Sequence, residues 1–218
     1  AKKVLLHAER PFTAIVGGAK VSDKILIVEN LLNLADHIII GGGMAYTFFK
    51  ALGGHIGNSL CETERLDTCL EILNKAKTKG VQIHLPIDAI AADRFAADAN
   101  TQIEPSNAIS EDRMGLDIGP KAIADFEAVL LQSKTILWNG PMGVFEMPAF
   151  ENGTKSMALA VASATKNGAF SLIGGGDSAA AVQKFELSSQ VSYVSTGGGA
   201  LLEYFEGKVL PGVEALEA

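Results

Sequence analysis

The chain alternates between short apolar runs and longer segments with the periodicity of amphipathic helices. The apolar runs predict strands over residues 12–16, 37–41, 81–86, 134–139, 170–174 and 191–196. Between them, apolar residues recur every three or four positions, which predicts helices over 21–34, 63–79, 122–131, 149–165 and 178–185. This alternation predicts an α/β fold, a doubly wound and mostly parallel six-stranded Rossmann-like sheet with helices on both faces.

Two of the predicted helices show a clear apolar face. In the helix predicted over 21–34, the face consists of Val21, Ile25, Val28, Leu31 and Leu32. In the helix predicted over 63–79, it consists of Leu66, Leu70, Leu73 and Ala76. We expect both faces to pack on the sheet.

The stretch from about 96 to 117 has neither periodicity and contains several turn-forming residues. We predict a long excursion or a small subsheet at an edge of the main sheet, and not a linker between domains. A chain of 218 residues, 48% of them apolar, can bury one large core. The sequence therefore predicts a single domain over residues 1–218.

Charge and composition exclude several classes of protein. The net charge of −7 argues against a nucleic-acid partner. No uninterrupted apolar stretch reaches the ~18 residues of a membrane span, and the apolar part of the N-terminus is too short for a signal peptide. The spacing of Cys61 and Cys69 matches no zinc motif. We expect two reduced thiols in a cytoplasmic protein.

Glycine clusters follow four of the predicted strands, at residues 17–18, 41–43, 174–176 and 197–199. The carboxyl ends of parallel strands meet at one edge of a sheet, where ligands bind. Glycine lets the backbone approach a ligand closely, and the start of the next helix offers free N–H groups to an anion. Four such turns on one edge predict a large ligand that carries phosphate.

Lys20 and Lys24 follow the first glycine turn, at the predicted start of a helix. Lysines four positions apart share one face of a helix, so both ammonium groups would project near its N-terminus. Two positive charges beside free N–H groups suit phosphate oxygens, although two solvated surface lysines would have the same spacing. Their position beside a glycine turn favours phosphate binding.

The segment 138–146, Trp-Asn-Gly-Pro-Met-Gly-Val-Phe-Glu, predicts a rigid loop at the end of a strand. It presents Asn139 and Glu146 at the sheet edge, where Glu146 could accept hydrogen bonds from ribose hydroxyls. A buried Trp138 followed by a tight turn is the structural alternative, and it can hold for Trp138 alongside a binding role for the loop.

The segment 174–179 fits three interpretations. It satisfies the dinucleotide pattern G-x-G-x-x-G/A, but the next predicted strand, 191–196, ends without the acidic residue that would bind a ribose. Residues 176–178 also resemble the nucleophile elbow of a serine hydrolase, but all four histidines lie upstream. In the third interpretation, which fits best, Asp177 is a ligand for the Mg²⁺ of a nucleotide, and N–H groups and the Ser178 hydroxyl bind phosphate.

Taken together, these motifs resemble those of the phosphoglycerate kinase family and occur in that family's order. In one-letter code they are GGAKVSDK at 17–24, GGGMA at 41–45, MGLDIGP at 114–120, WNGPMGVFE at 138–146, GGGDS at 174–178 and STGGGA at 195–200. Residues 206–216 are also similar to the family's C-terminal end. The resemblance covers essentially the whole chain but only the family's C-terminal half. We therefore expect a nucleotide-binding domain without the N-terminal half that binds 3-phosphoglycerate or 1,3-bisphosphoglycerate.

The resemblance implies a role for each matched residue. It implies an adenine slot made by Gly42, Gly43, Phe95, Gly115, Leu116 and Pro141, with Val144 beside the base and Glu146 on the ribose. It implies phosphate contacts from Ala19, Lys20, Lys24, Gly175, Gly176 and Ser178, with Mg²⁺ held by Asp177. The other implied nucleotide contacts are Gly18, Asn139 and Gly143. N–H groups that point at the phosphoryl group during its transfer would come from Gly197, Gly198 and Gly199. The residues with an implied catalytic role are Lys20, Lys24, Gly176, Gly198 and Gly199.

The implied reaction is phosphoryl transfer between 1,3-bisphosphoglycerate and ADP, with Mg²⁺. Positioned positive charge supplies most of the catalysis in such a transfer. We expect a monomer that binds ADP and ATP but is essentially inactive without the other half. The alternative is the nicotinamide-dinucleotide-binding domain of an oxidoreductase.

Overall fold

The computed structural model describes residues 7–196, which form a central parallel sheet covered by helices. Numbered along the chain, the strands are β1 (Phe12–Val16), β2 (His37–Ile40), β3 (His55–Ile56), β4 (Gln82–His84), β5 (Asp88–Ala92), β6 (Thr101–Pro105), β7 (Ala108–Ile109), β8 (Met114–Ile118), β9 (Thr135–Asn139), β10 (Phe170–Gly174) and β11 (Tyr193–Ser195). The α-helices are α1 (Ile25–Leu31), α2 (Met44–Ala51), α3 (Leu66–Lys79), α4 (Pro120–Gln132), α5 (Asn152–Lys166) and α6 (Gly176–Lys184). Short 3₁₀ turns cover Val21–Asp23, Thr63–Arg65, Pro148–Phe150 and Ser188–Gln190.

The main sheet has the strand order β11-β10-β9-β1-β2-β4, and every neighbouring pair is parallel. Each of the six predicted strands is present, with boundaries shifted by a few residues at most. All five residues of β1 are buried, as are all five of β9, because parallel sheets are covered on both faces. The predicted α/β class and the six-stranded parallel sheet are confirmed.

Helices cover both faces of the sheet, and successive residues of each strand point into different layers. In β2, Ile39 packs in the core beneath α4, α5 and α6, whereas Ile38 and Ile40 pack in the core beneath α1, α2 and α3. All three are fully buried, and burial of such a side chain stabilises the fold by about 1.5–3 kcal/mol.

The structure corrects several helix predictions, and the α-helix predicted over 21–34 spans only Ile25–Leu31. Helix α3 turns Cys69, Ile72 and Ala76 into the core, so the predicted face was wrong at Leu70, whose surface is 42% exposed. Both stripes have helical spacing, and the stripe of Cys69, Ile72 and Ala76 is the one that packs in the same core as α2. Helix α2 is not among the helices predicted with bounds, because its eight residues make little more than two turns, too few for a periodic pattern to stand out.

The irregular stretch forms the predicted small subsheet. Strands β6, β5 and β8 pair antiparallel in that order, and β3 pairs with β7 in a separate two-stranded ladder. The subsheet starts at Asp88, earlier in the chain than predicted, immediately after β4. None of the helices within 7–196 is both long and apolar enough to cross a membrane.

Strands β1, β2, β9 and β10 all end at the same edge of the main sheet. Backbone hydrogen bonds connect the ends of neighbouring strands. The N–H of Gly17 donates to the carbonyl of Asn139 at 2.8 Å, and the N–H of Gly41 donates to the carbonyl of Val16 at 3.0 Å. The glycine turns at 17–18, 41–43 and 174–176 therefore lie along one edge, as predicted, and the turn predicted at 197–199 lies outside the described residues.

Candidate functional site

Two adjoining cavities open along this edge of the sheet. The first has a volume of about 470 Å³ and the second about 370 Å³. They share Gly18, Ala19, Pro141 and Asp177. The two therefore form one elongated cleft.

The first cavity is lined mainly by glycine backbone and apolar side chains. Its lining residues are Gly18, Ala19, Gly42, Gly43, Tyr46, Asn58, Leu60, Phe95, Met114, Gly115, Leu116, Asp117, Pro141, Met142, Gly143, Val144, Glu146 and Asp177. A cleft of this size with few polar groups is typical of a site for a small organic ligand.

Two of these glycines are required by close approach of buried side chains. A Cβ on Gly115 would lie 1.9 Å from the Tyr46 hydroxyl, and a Cβ on Gly143 would lie 2.4 Å from Asp117 Oδ1. Both contacts are far shorter than van der Waals distance. Tyr46 and Asp117 therefore form a floor beneath the two segments that line the cavity.

Asp117 is a carboxyl group enclosed by backbone donors. Its Oδ1 accepts the N–H of Ile118 at 2.9 Å and its Oδ2 accepts the N–H of Gly153, in the first turn of α5, at 2.8 Å. Burial nevertheless raises the pKa of Asp117 to about 7, because these two hydrogen bonds compensate only part of the lost hydration. Burial, and then the nearby Asp117 charge, raise the pKa of Tyr46 above its ordinary value.

The second cavity combines lysines, glycine turns and the start of α6. Its lining residues are Gly17, Gly18, Ala19, Lys20, Asp23, Lys24, Asn139, Gly140, Pro141, Gly175, Gly176, Asp177 and Ser178. Gly175 precedes α6 with φ of 100°, a conformation that favours glycine, and a Cβ there would lie 2.7 Å from Asn139 Nδ2. The turn therefore brings backbone N–H groups to the cavity wall with no side chain in between.

The two lysines reach this cavity from different backbone environments. The prediction that they share a helix face is wrong, because α1 begins at Ile25 and Lys20 is extended, with φ of −125° and ψ of 133°. A 3₁₀ turn separates the lysines, and both the N–H and the hydroxyl of Ser22 donate to the Glu62 carboxylate, at 3.1 and 2.5 Å. Although partial burial opposes it, these bonds lower the pKa of Glu62.

Lys24 and Asn139 form a polar link across the cavity floor. The Lys24 ammonium donates to Asn139 Oδ1 at 2.5 Å, and Asn139 Nδ2 donates to the carbonyl of Gly174 at 2.8 Å. Asn139 is only 3% exposed, so this link holds the positive charge in place.

The Ser178 hydroxyl has a structural partner. Its Oγ accepts the N–H of Gly140 at 2.6 Å, and the residue is 1% exposed. As an acceptor, this hydroxyl fixes the turn after β9, and Ser178 and the first turn of α6 line the cavity. Its own O–H remains a donor, so the phosphate contact predicted for it stays a prediction.

Asp177 is the acidic residue shared by both cavities, in the first turn of α6. Among residues 7–196, no group of three or more His, Cys, Asp or Glu side chains is arranged to hold a metal ion. A Mg²⁺ ion at this position would therefore be bound by one protein carboxylate together with ligand phosphates and water, an arrangement that Mg²⁺ commonly adopts.

Comparison with known proteins assigns the chain to a family. The family model described as phosphoglycerate kinase matches residues 1–208. The chain belongs to the phosphoglycerate kinase family.

Relatives and solved structures agree with this assignment. The phosphoglycerate kinase of Porphyromonas gingivalis is 56% identical over 216 residues, which are 99% of this chain and 52% of that protein. The phosphoglycerate kinase of Mycobacteroides abscessus is 53% identical over 210 residues, which are 96% of this chain and 50% of that protein. The chain spans about half the length of the curated relatives it matches.

Two solved phosphoglycerate kinases have the same fold. The structure from Coxiella burnetii superposes with a TM-score of 0.95 at 46% identity and covers 99% of this chain and 55% of its own. The structure from Pyrococcus horikoshii OT3 has a TM-score of 0.81 at 30% identity and covers 99% of this chain and 54% of its own.

The structure brings together the residues that the phosphoglycerate kinase motifs singled out. Within 7–196, each of them lines one of the two cavities: Gly18, Ala19, Lys20, Lys24, Gly42, Gly43, Phe95, Gly115, Leu116, Asn139, Pro141, Gly143, Val144, Glu146, Gly175, Gly176, Asp177 and Ser178. Gly197, Gly198 and Gly199 lie outside the described residues. The binding roles themselves stay predictions.

Several lining residues were not singled out from the sequence. Tyr46, Asn58, Leu60, Met114, Asp117, Met142, Asp23 and Gly140 also line the cleft. Most of them lie inside or beside the phosphoglycerate kinase motifs, which is the signal that could have found them. Asn58 and Leu60 lie in the irregular segment before α3, and no pattern in the sequence marks them.

Proposed function

We propose that this chain binds Mg-ADP and Mg-ATP in the elongated cleft, as the nucleotide-binding part of a phosphoglycerate kinase. One observation supports the proposal most: a mainly apolar cavity and a lysine-lined cavity meet at Gly18, Ala19, Pro141 and Asp177. A nucleotide has the same division, with a flat base at one end and phosphates at the other.

The first cavity suits the nucleoside. The backbone of Gly115 and Gly143 supplies flat walls, and the apolar side chains of Leu116 and Val144 suit the faces of a base. Glu146 stands at the margin of the cavity, where its exposed carboxylate can accept hydrogen bonds from ribose hydroxyls.

The second cavity suits the phosphates. Lys20 and Lys24 bring two positive charges, and the start of α6 adds N–H groups and the positive end of a helix dipole. Asp177 would hold Mg²⁺, which on binding neutralises phosphate charge. Catalysis by this chain then consists of positioning the nucleotide and stabilising charge on the transferring group.

The reaction itself needs a second substrate site. The family resemblance implies that 1,3-bisphosphoglycerate and 3-phosphoglycerate bind to the half that this chain does not match. We propose that the chain alone binds nucleotide with negligible phosphoryl transfer. The place of the family in glycolysis supports a cytoplasmic location.

The nicotinamide-dinucleotide alternative keeps one supporting feature, the G-x-G-x-x-A spacing at 174–179. Strand β11 lies beside β10, however, and it ends at Ser195, where that mode of binding needs a carboxylate for the ribose. The geometry therefore favours a mononucleotide.

Asp177→Asn tests the proposed metal role. Calorimetry should show weaker binding of ADP in the presence of Mg²⁺ and a smaller change without it, because the substitution removes the charge that binds the metal. Asp23→Asn is the matched control, since Asp23 also lines the second cavity but belongs to a different turn. Equal losses with and without Mg²⁺ for Asp177→Asn would reject the metal role.

A further inference from the structure

Lys184, the last residue of α6, connects this helix to the segment 140–147 that follows β9. Its ammonium group donates to the carbonyl oxygen of Phe145 at 2.6 Å and pairs with the Glu151 carboxylate at 2.7 Å. The same nitrogen lies 5.9 Å from the centroid of the Phe145 ring and 5.6 Å from that of Phe185. One charge thus joins α6, the 140–147 segment and the residue before α5.

The contacted peptide lies between two residues of the nucleoside cavity. Val144 and Glu146 both line that cavity, and the ring of Phe145 between them is buried. The carbonyl of Phe145 belongs to the peptide group that leads into Glu146. Its direction therefore sets where the backbone of Glu146 begins and where its carboxylate can reach.

Helix α6 holds the 140–147 segment at two points. At the start of the helix, Ser178 Oγ accepts the N–H of Gly140 at 2.6 Å. At its end, Lys184 donates to Phe145. The helix whose first turn carries Asp177 thus also fixes the segment that carries Glu146.

We infer that Lys184 is a positioning residue for ribose recognition, acting through the Phe145 carbonyl on Glu146. The inference rests on the proposed function, because it takes Glu146 as the group that binds the ribose hydroxyls. A hydrogen bond from a charged donor is stronger than one between neutral groups, and a cation is favoured at the C-terminal end of a helix. Both effects keep the Lys184 contact formed although its side chain is 38% exposed.

The test compares two ligands, Mg-ADP and Mg-2′,3′-dideoxy-ADP, by calorimetry. Lys184→Met should weaken the binding of Mg-ADP about three- to tenfold, the loss expected when one charge-assisted hydrogen bond no longer orients a ligand contact. The binding of the dideoxy analogue should not change, because that ligand has no ribose hydroxyls for Glu146 to bind. Lys184→Arg should recover most of the Mg-ADP affinity.

Lys155→Met is the matched control. Lys155 lies over the same Phe185 ring, 6.0 Å from its centroid, so this variant removes a neighbouring positive charge. Both ligands should bind to it as they bind to the wild type. If Lys184→Met does not fold, Glu151→Gln replaces it, because losing the carboxylate loosens Lys184 and should weaken Mg-ADP alone.

The outcomes separate this inference from the proposed function. Equal losses for both ligands, or no loss for either, would overturn the role of Lys184. A wild-type chain that binds ADP and its dideoxy analogue equally tightly would also overturn it and leave the proposed function intact. A wild-type chain that binds neither would overturn the proposed function, and the inference with it.

Discussion

Asp117 illustrates how one buried carboxyl group can support a ligand cavity. It accepts N–H groups from Ile118 and Gly153, and it fills the space that a side chain on Gly143 would need. Burial raises its pKa to about 7, whereas an exposed aspartate titrates near pH ~3.9. The folded protein therefore binds a proton at this residue more tightly than the unfolded chain does.

This difference predicts a pH dependence of stability. Because the pKa is higher in the folded state, the contribution of Asp117 is fully present below about pH 4 and is lost as the pH rises towards about 7. Asp117→Asn stays neutral throughout, so its free energy of unfolding should fall less than that of the wild type across this range. Denaturant unfolding at several pH values measures, for both proteins, the slope of the free energy of unfolding against pH.

Only the difference between the two slopes is informative, because other groups titrate in the same range. His84 is a further titratable group, and burial, followed by the charge of His37, lowers its pKa. Parallel curves for wild type and Asp117→Asn would contradict the account of Asp117.

The sequence identified Lys24 and Asn139 as separate candidates, and the structure joins them at 2.5 Å. They lie 115 positions apart, so no local pattern could predict the contact. The Ser178 hydroxyl is a similar case, because its partner, the N–H of Gly140, lies on a different strand end. The residue types alone predicted polar groups suited to a phosphate. Which of these groups contact each other depends on which strand ends lie side by side, and the sequence does not show that.

Helix α4 depends on a residue outside the helix for its first turn. Gly119 precedes the helix and has no side chain with which to cap it, and Asp88 of β5 supplies the acceptors. Asp88 Oδ2 accepts the N–H of Lys121 at 3.0 Å, and Oδ1 accepts the N–H of Ala122 at 2.8 Å. The subsheet and the main core are thereby connected.

Asp88→Ala should lower the free energy of unfolding by about 2 kcal/mol, because it leaves two N–H groups of a helix terminus without their acceptor. Asp88→Asn keeps one acceptor and should lose less. Asp125→Ala, at an exposed position of the same helix, should change stability little. Denaturant unfolding measures the stability of all three variants. Equal stabilities for Asp88→Ala and Asp125→Ala would contradict the role of Asp88 as the cap of α4.

Element predictions succeeded where one local signal dominated. Strands β1, β2, β9 and β10 are mainly apolar runs that end at glycine, and the predicted bounds of each agree with the structure within one residue. Helix α2 received no predicted bounds because it is only eight residues long, shorter than the stretch over which helical periodicity can be recognised. The predicted face of α3 was right at Ala76 and wrong at Leu70, because the apolar residues of this helix allow two stripes with helical spacing.

For the molecule as a whole, we predict that this chain alone does not catalyse phosphoryl transfer. The chain spans about half the length of its relatives, and the cleft described here has a single lysine-lined cavity for phosphates. Transfer of a phosphoryl group needs the donor and the acceptor to be held in line away from water. The purified chain should therefore show negligible phosphoryl transfer to 3-phosphoglycerate in a coupled assay.

Adding the remaining half of a related phosphoglycerate kinase should restore part of the activity, at a rate that depends on the concentration of both pieces. The same mixture made with Asp177→Asn should be much less active, which controls for contaminating host enzyme. Normal turnover by the chain alone would mean that the acceptor site lies within these residues.

The central claim is that the cleft is a mononucleotide site, and titration of the chain with nucleotides tests it most directly. Calorimetry with Mg-ADP should show saturable binding to one site per chain, and a parallel titration with NAD should show none. The reason is that the cleft joins one base-sized cavity to one phosphate cavity, with no carboxylate at the end of β11 for a second ribose. Binding of NAD without binding of Mg-ADP would contradict the account.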